Sequence, residues 1–451
     1  MCFHTVDSLL KKDSNIVVAF SGGMDSTVLL HYLYIWKKNH PQSNLRAIHV
    51  NHGLHLKSNH WANHCIEICS KWKLKCSILQ INIIDIIKKK GIEATARKER
   101  YKALISALYP KEILMTAHHL NDQCETFLLA IKRGSGPAGL ASIYPSVIIG
   151  KNKILRPFLE YSHKLLASYA KKHNLIWVID KSNYDINYDR NFLRHSILPK
   201  IIVKWPSFIK TVTRSSLLCR EQENLIDELL INELNDLIQN NGSLYFLPLL
   251  KMSSIKVYAL LRRWIAKQGG LMPSYIKLKL IYHKVLMNIK DKQPCLQLGS
   301  YEIRKFRHYL YWLKTNSSLK YKKINWKELD KPIILPQDLG LLKADYNKNL
   351  LRLPTSKEDV SIQFYVNGYV NILGRNNKYK IKKIWQELNI PPWNRQRIPL
   401  IFYNDILIYA VNLFVTSNGS CLENKNGWQV IWYQKNYTRK YLFSDKYIKS
   451  C

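Results

Sequence analysis

The first two hundred residues alternate short apolar runs with stretches whose apolar positions recur at helical spacing. Ile16–Phe20, Leu45–Val50, Ser77–Ile81 and Ile113–Ala117 are short and bounded by turn residues, and they read as buried strands. Val28, Leu29, Leu30 and Leu33 follow the first run at helical spacing. Ser58–Trp72 repeats the pattern through Trp61, Cys65, Ile68 and Cys69, and Glu93–Leu108 reads as a third helix. Strands alternating with helices predict an α/β domain built on a doubly wound, Rossmann-like parallel sheet, whose ligands sit at the carboxyl ends of the strands. Leu175–Val178 is expected to be a fifth, edge strand.

From about Ser207 the pattern turns helical, through Leu218, Leu225, Leu229, Leu234 and Leu237 and then Tyr258, Leu261 and Ile265. Glu302–Lys314 alternates basic and apolar residues like a strand, with Arg304, Lys305 and Arg307 available for a polyanion backbone. Thr315–Pro354 offers only short apolar runs among Lys and Asn. A compact α+β segment begins near Val360, where Lys380, Lys382, Lys383 and Arg395 surround Trp385 and Trp393. The expected organisation is 1–205, 206–314 (mostly helical), a linker over 315–358, a small α+β domain over 359–437, and a basic tail over 438–451.

The sharpest local signal is the end of the first strand, Ser21-Gly22-Gly23-Met24-Asp25-Ser26. Strand, glycine turn and helix N-terminus aim several backbone N–H groups at one spot, which suits a phosphate. Side chains at Gly22 or Gly23 would hold phosphate oxygens away from those amides. Ser21, Ser26 and Thr27 add hydroxyls. An acid at a phosphate site repels its ligand unless a cation intervenes, so Asp25 reads as a Mg²⁺ partner. The plainer reading is a βα turn capped by Asp25 and Ser26.

A second signal spans Thr116–Gly139, at the carboxyl end of the fourth run. His118, Asp122 and Glu125 are spaced by four and three, which on a helix would align them on one face. Two carboxylates and an imidazole can hold an amine, a metal or a proton in transit, or be a cap and an incidental surface pair. Gly134, Ser135, Gly136 and Gly139, after Lys132 and Arg133, make a basic turn that could face phosphates or end a helix. Residues 180–199 gather Arg190, Arg194 and His195 beside Asn183, Asp185 and Asn191.

Composition narrows the partners. The 451-residue chain carries a formal charge of +37, a field that favours polyanions such as nucleic acid, although AT-rich codon usage also inflates Lys. Nine scattered cysteines without a CxxC argue against a disulfide framework, a zinc ribbon or an iron–sulfur site. No apolar run reaches the ~20 residues of a membrane span, and no signal-peptide order opens the chain, so no membrane partner and a cytoplasmic location are expected.

SGGMDS resembles the signature of the PP-loop ATP pyrophosphatases. With Glu93–Tyr101 (EATARKERY), Thr116–Thr126 (TAHHLNDQCET), Lys132–Leu140 (KRGSGPAGL) and Ser182–Pro199 (SNYD…RNFLRHSILP), the first 200 residues resemble the tRNA(Ile)-lysidine synthetases. That resemblance implies ATP and Mg²⁺ as cofactors. It implies L-lysine and a tRNA(Ile) with a CAU anticodon as substrates, and ligation of lysine to C2 of the wobble cytidine through an adenylated base. Codon specificity then changes from AUG to AUA. By resemblance, 206–314 and 359–437 are tRNA-binding domains. Ser21, Gly22, Gly23, Met24, Asp25 and Ser26 bind the nucleotide, with Asp25 on the metal. His118, Asp122 and Glu125 fit lysine recognition and amine activation, and Arg97 with Arg190 or Arg194 fits charge stabilisation at phosphorus. Cys124 stands where the family often has a small residue, and Val411–Asn412 where a glycine is frequent. A PP-loop tRNA sulfurtransferase, or a basic RNA-binding protein with a decayed ATP site, are the competing functions; a homodimer is one expectation for assembly.

Overall fold

A computed structural model describes residues 3–11, 13–53, 58–81, 92–288, 294–421 and 426–434; the expected basic tail lies outside them. The chain divides into two units, Met1–Leu229 and Leu230–Cys451.

The first unit runs α1 (His4–Leu9), β1 (Asn15–Ala19), α2 (Met24–Lys38), β2 (Asn44–Asn51), α3 (Ser58–Lys71), β3 (Lys75–Gln80), α4 (Ile92–Ser106), β4 (Glu112–Met115), α5 (Leu120–Lys132), α6 (Pro137–Leu140), β5 (Ser146–Ile149), β6 (Asn152–Leu155) and α7 (His163–Lys172). The sheet order is β3-β2-β1-β4-β6-β5, parallel except for β5. The doubly wound α/β expectation is met. Parallel strands must be covered on both faces, and β1 shows how. Ile16, Val18 and Phe20 pack with Val28, Leu29 and Leu33 of α2 and Leu166 and Tyr169 of α7. Val17 packs on the other face with Leu104 of α4. The chain steps outward from β1 to β2 and β3, then returns to β4 on the other side. The topological switch therefore lies between β1 and β4, and both lead at their carboxyl ends into the motifs singled out above.

Leu175–Val178 is not a strand. The sheet edge beyond β4 is occupied by the β5–β6 hairpin, and Val178 N–H donates instead to Gly22 O (2.9 Å). Its extended backbone serves the glycine turn. The unit ends through α8 (Asp189–Phe192), a wide π turn (Leu193–Ile197) and α9 (Leu198–Lys204), before the thirty-residue helix α10 (Phe208–Leu237). Ser216 and Arg220 of α10 bind the carbonyls of Ala141 and Ile143.

In the second unit, helix Ser254–Lys267 packs through Leu260, Leu261 and Trp264 on a small antiparallel sheet that includes the Tyr301–Phe306/Tyr309–Lys314 hairpin. The strand expected over 302–314 is thus two, joined at Arg307, whose φ is +51°. Arg304 pairs with Glu302 (2.7 Å) and Lys305 caps the carbonyls of Leu286 and Asn288, so of the three cations only Arg307 is exposed. The 315–358 stretch, expected as a linker, is a working part of the C-terminal core. Trp326, Leu335, Leu342 and Leu351 are buried with Ile362, Leu400, Ile408 and Trp428. Strands Lys323–Asn325 and Leu341–Asp345 pair with Val360–Gln363 and Gly427–Tyr433. Trp385 is buried in that core, while Trp393 meets Tyr311, Phe306 and Arg304. Neither tryptophan ring is a free stacking platform. Asn412 takes φ +63°, a left-handed conformation that Asn tolerates where glycine would be easiest. No helix among the described residues is long and apolar enough to cross a membrane.

Candidate active site

The glycine turn after β1 is built for close approach. Gly22 has φ +80°, and a Cβ there would stand 3.0 Å from Cys65 Sγ, so both backbone conformation and space require glycine. Ser21 Oγ lies 2.9 Å from Ser26 Oγ, Gly23 N–H donates to Ser21 Oγ, and Ser26 and Thr27 hydroxyls donate to Gly23 O. These bonds lock the turn onto the first turn of α2, whose fifteen residues start at Met24. The N-terminus of that helix and its amides have the geometry that suits an anion, as the sequence leads one to expect.

Asp25 leans from this turn toward the β4–α5 connection. His119 Nε2 is 3.6 Å from Asp25 Oδ2 and equally 3.6 Å from Asp122 Oδ2, and His163 Nε2 is 3.9 Å from Asp25 Oδ1. Burial raises the Asp25 carboxyl pKa, against the opposing pull of His119 and His163. Asp25 Oδ1 is buried without a hydrogen-bond partner. One unsatisfied carboxylate oxygen beside a phosphate cradle fits Mg²⁺, which is held by one or two carboxylates and completes its shell with phosphate oxygens and water.

His118 does not share a helix face with Asp122 and Glu125. Helix α5 starts at Leu120, and His118 sits in the preceding turn with Nδ1 2.8 Å from Thr116 Oγ1. Burial drives its pKa down to about 3, assisted by Arg97, Arg156 and Arg190 and resisted by Asp122, so the imidazole is neutral at physiological pH. Asp122 and Glu125 do lie one turn apart, and both are buried. Arg190 Nε donates to Glu125 Oε2 (2.7 Å). Arg194 donates through Nε to Glu125 Oε1 (2.6 Å), and through Nη2 to Glu125 Oε2 (2.9 Å) and Asp122 Oδ1 (3.0 Å). The two arginines come from either side of the α8–π-turn junction, and such widened turns commonly mark functional positions. Burial would raise the Asp122 pKa, but His119, Arg190, His118 and Arg194 outweigh it and hold the carboxyl below its usual range.

Arg97 on α4 lies over the Tyr101 ring (5.6 Å) and has no ion-pair partner among the described residues. Gly134 (φ +62°) ends α5, its N–H donating to Ile131 O. Gly134 is therefore a helix stop, and Gly136 caps the short α6 that follows. Asn191 binds the carbonyls of Ser182 and Asp185, and His195 that of Asn183, which organises the 180–195 loop internally. Two site residues escaped the sequence reading. His119 was in view as half of a His-His pair, whereas His163 follows it by 44 positions (163 − 119) with no local signal.

A phosphate turn and an arginine-clamped acid pair, facing each other across the switch point through His119, define an enzyme of the PP-loop class; the PP-loop domain family matches residues 3–201. Residues 245–311 match the TilS substrate binding domain, and 360–432 the TilS substrate C-terminal domain. The chain is 43% identical over 429 residues to the tRNA(Ile)-lysidine synthase of Salmonella heidelberg (strain SL476), covering 95% of this chain and 99% of that one. The same figures hold for the tRNA(Ile)-lysidine synthase of Salmonella typhimurium (strain LT2). It belongs to the tRNA(Ile)-lysidine synthase family. Among solved structures, a U34-tRNA thiolase from Methanococcus maripaludis superposes with a TM-score of 0.43 at 19% identity, covering 48% of this chain and 77% of that one, a likeness too low to bear on the assignment.

Proposed function

We propose that this chain ligates L-lysine to C2 of the wobble cytidine of a CAU-anticodon tRNA(Ile), consuming ATP and releasing AMP and pyrophosphate. The observation that carries the reading is His119, equidistant at 3.6 Å from Asp25 of the phosphate turn and from Asp122 of the acid pair. It makes the two motifs one site, where a nucleotide phosphate and an amine can meet. In the first step the cytidine O2 attacks the α-phosphorus and the bond to the β-phosphate breaks. The amides of the Gly22–Gly23 turn and the Ser21 and Ser26 hydroxyls bind the phosphates. Mg²⁺ held by Asp25 would supply charge neutralisation there. Arg97, free of an acid partner among the described residues, is suited to the charge that grows on phosphorus.

In the second step the neutral lysine Nε attacks C2, the C2–O bond breaks with its electron pair leaving on AMP, and the proton released from the amine passes to solvent. Asp122 is held low and is a weak base, and both Glu125 oxygens are occupied by guanidiniums. Asp122 then serves as the ammonium's anchor. Burial, assisted by Arg97, Arg156 and Arg190, keeps His118 neutral, and the same surroundings favour the neutral amine. The charge of +37 and the two substrate-domain matches support tRNA as the polyanion bound.

The sulfurtransferase alternative needs a reactive thiolate near the turn. Cys124 is buried and its thiol is pushed up to about 12, which disfavours it. The test is mass spectrometry of nuclease-digested CAU tRNA(Ile) after incubation with protein, ATP, Mg²⁺ and lysine. A lysine-sized gain on the wobble cytidine, absent without lysine, is expected. No gain accompanied by no AMP would refute the reading.

A further inference from the structure

Asp25, His119 and His163 bring one carboxylate and two imidazoles together, with a ligand atom from each lying within 4.8 Å of the others. That donor set differs from what Mg²⁺ selects. Mg²⁺ prefers an all-oxygen octahedron, whereas imidazole nitrogen favours zinc and its divalent neighbours. Two His and one carboxylate with a further position open is the donor pattern of catalytic-type zinc sites.

We propose that these three residues form a binding site for a divalent transition-metal ion of the zinc class. Metal–nitrogen and metal–oxygen bonds of about 2.0–2.1 Å place tetrahedral ligand atoms roughly 3.3–3.4 Å apart. The 3.6 and 3.9 Å separations end on different Asp25 oxygens, and one ligand atom from each residue lies within 4.8 Å of the others, so the triangle closes by shortening its edges by up to about 1.5 Å. The His119 and His163 rings stand edge to face, 5.3 Å between centroids, and each has its Nε2 nearest an Asp25 oxygen.

Each histidine is fixed through its backbone by the same turn of α5. Asp122 Oδ2 accepts from His119 N–H (3.0 Å), and Asn121 Oδ1 accepts from His163 N–H (3.1 Å). Asp25 Oδ1 is buried with no hydrogen bond to give up. His163 is half-exposed and has room to swing the remaining distance. Asp25 lies in the first turn of α2, so a fourth ligand position would adjoin the phosphate turn. Identifying that position as a nucleotide phosphate site rests on the function proposed above; the three ligands do not. Such an ion would compete with Mg²⁺ at Asp25, tying the enzyme's phosphate site to transition-metal availability.

The test is a titration of the metal-free full chain with Co²⁺, without ATP or tRNA, followed by visible absorbance. Expected are saturable d–d bands of four- or five-coordinate Co²⁺ at one equivalent, erased by one equivalent of Zn²⁺. In His163→Ala the affinity should fall at least ~10-fold, with the melting temperature unchanged because that side chain is half-exposed. Only the weak bands of octahedral Co²⁺, or equal affinity in wild type, His163→Ala and Asp25→Asn, would overturn the site. Lysine transfer with Mg²⁺ is assayed separately on the same preparations. In wild type, absence of Co²⁺ binding with transfer present refutes this inference alone, and absence of transfer with Co²⁺ binding present refutes only the proposed reaction.

Discussion

Glu125→Gln isolates the arginine clamp. Glu125 is 0% exposed and receives three hydrogen bonds, from Arg190 Nε and from Arg194 Nε and Nη2, all between 2.6 and 2.9 Å. Glutamine keeps the shape but removes the charge and turns one acceptor oxygen into a donor facing a guanidinium. Removing one partner of a buried ion pair costs about 3–5 kcal/mol, because the other charge stays buried. Arg194 is about a third exposed (37%) and Asp122 still contacts both arginines, so the lower end applies, about 3 kcal/mol. For a unit of 229 residues, each kcal/mol shifts the melting temperature by about 2–4 °C, which gives a drop of about 6–12 °C. Differential scanning fluorimetry of the full chain reads it as the lowest-temperature transition. Lysine transfer should fall at temperatures where the variant is still folded, since both arginines lose their charged Glu125 partner and keep only Asp122. A variant that melts within about 2 °C of wild type but has lost transfer would refute the clamp and make Glu125 a directly acting acid.

Gly22→Ala pays about 1–2 kcal/mol for a left-handed alanine and pushes Cβ against Cys65 Sγ. ATP affinity by equilibrium dialysis should drop at least tenfold. Gly134→Ala, with the same sign of φ but open space, should bind ATP like wild type. Acid should weaken the first unit early. Burial is the leading cause that lowers His118 to about 3, and His31 and His52 to about 4. The unfolded chain therefore binds protons that the folded one does not, and stability is lost as pH falls from about 6.5 toward 4. Melting temperatures across that range check it, and a flat profile contradicts it. Asn412→Gly should leave the melt within about 1 °C, whereas Asn412→Val should lower it measurably, β-branched residues being poor in left-handed backbone.

What could be read from the chain followed from burial. β1, β2 and β4 are covered on both faces and so appear as continuous apolar runs. The β5–β6 hairpin was missed because it is short and open to solvent on one side; Ile148 is 75% exposed. Leu175–Val178 has strand composition, but its partner is the Gly22 carbonyl, which no periodicity announces. The 315–358 stretch hid its role because strands of two to five residues, separated by Lys and Asn turns, are too short to establish a period. The phosphate turn was legible because its geometry is local. The acid–arginine clamp was only half legible: spacing paired Asp122 with Glu125, but nothing in spacing pairs either with residues 65 to 72 positions away.

That long-range pairing changes how the acids divide their work. Read alone, Asp122 and Glu125 are equivalent carboxylates waiting for an amine. In the fold they are unequal. Both Glu125 oxygens are engaged by guanidiniums, and the side chain has no exposed surface. Asp122 gives one oxygen to Arg194 and turns the other toward the His119 backbone amide and ring. A substrate ammonium can reach Glu125 only by displacing an arginine, which exchanges one buried pair for another at little net electrostatic gain. At Asp122 it approaches the oxygen beside the His119 ring, which in turn stands 3.6 Å from Asp25. Under the proposed reaction, Glu125 positions two cations and Asp122 lies nearer the chemistry, so the two alanine variants should differ in kind. Loss of Glu125 disturbs stability and transfer together. Loss of Asp122 raises the lysine requirement more than it lowers the melting temperature.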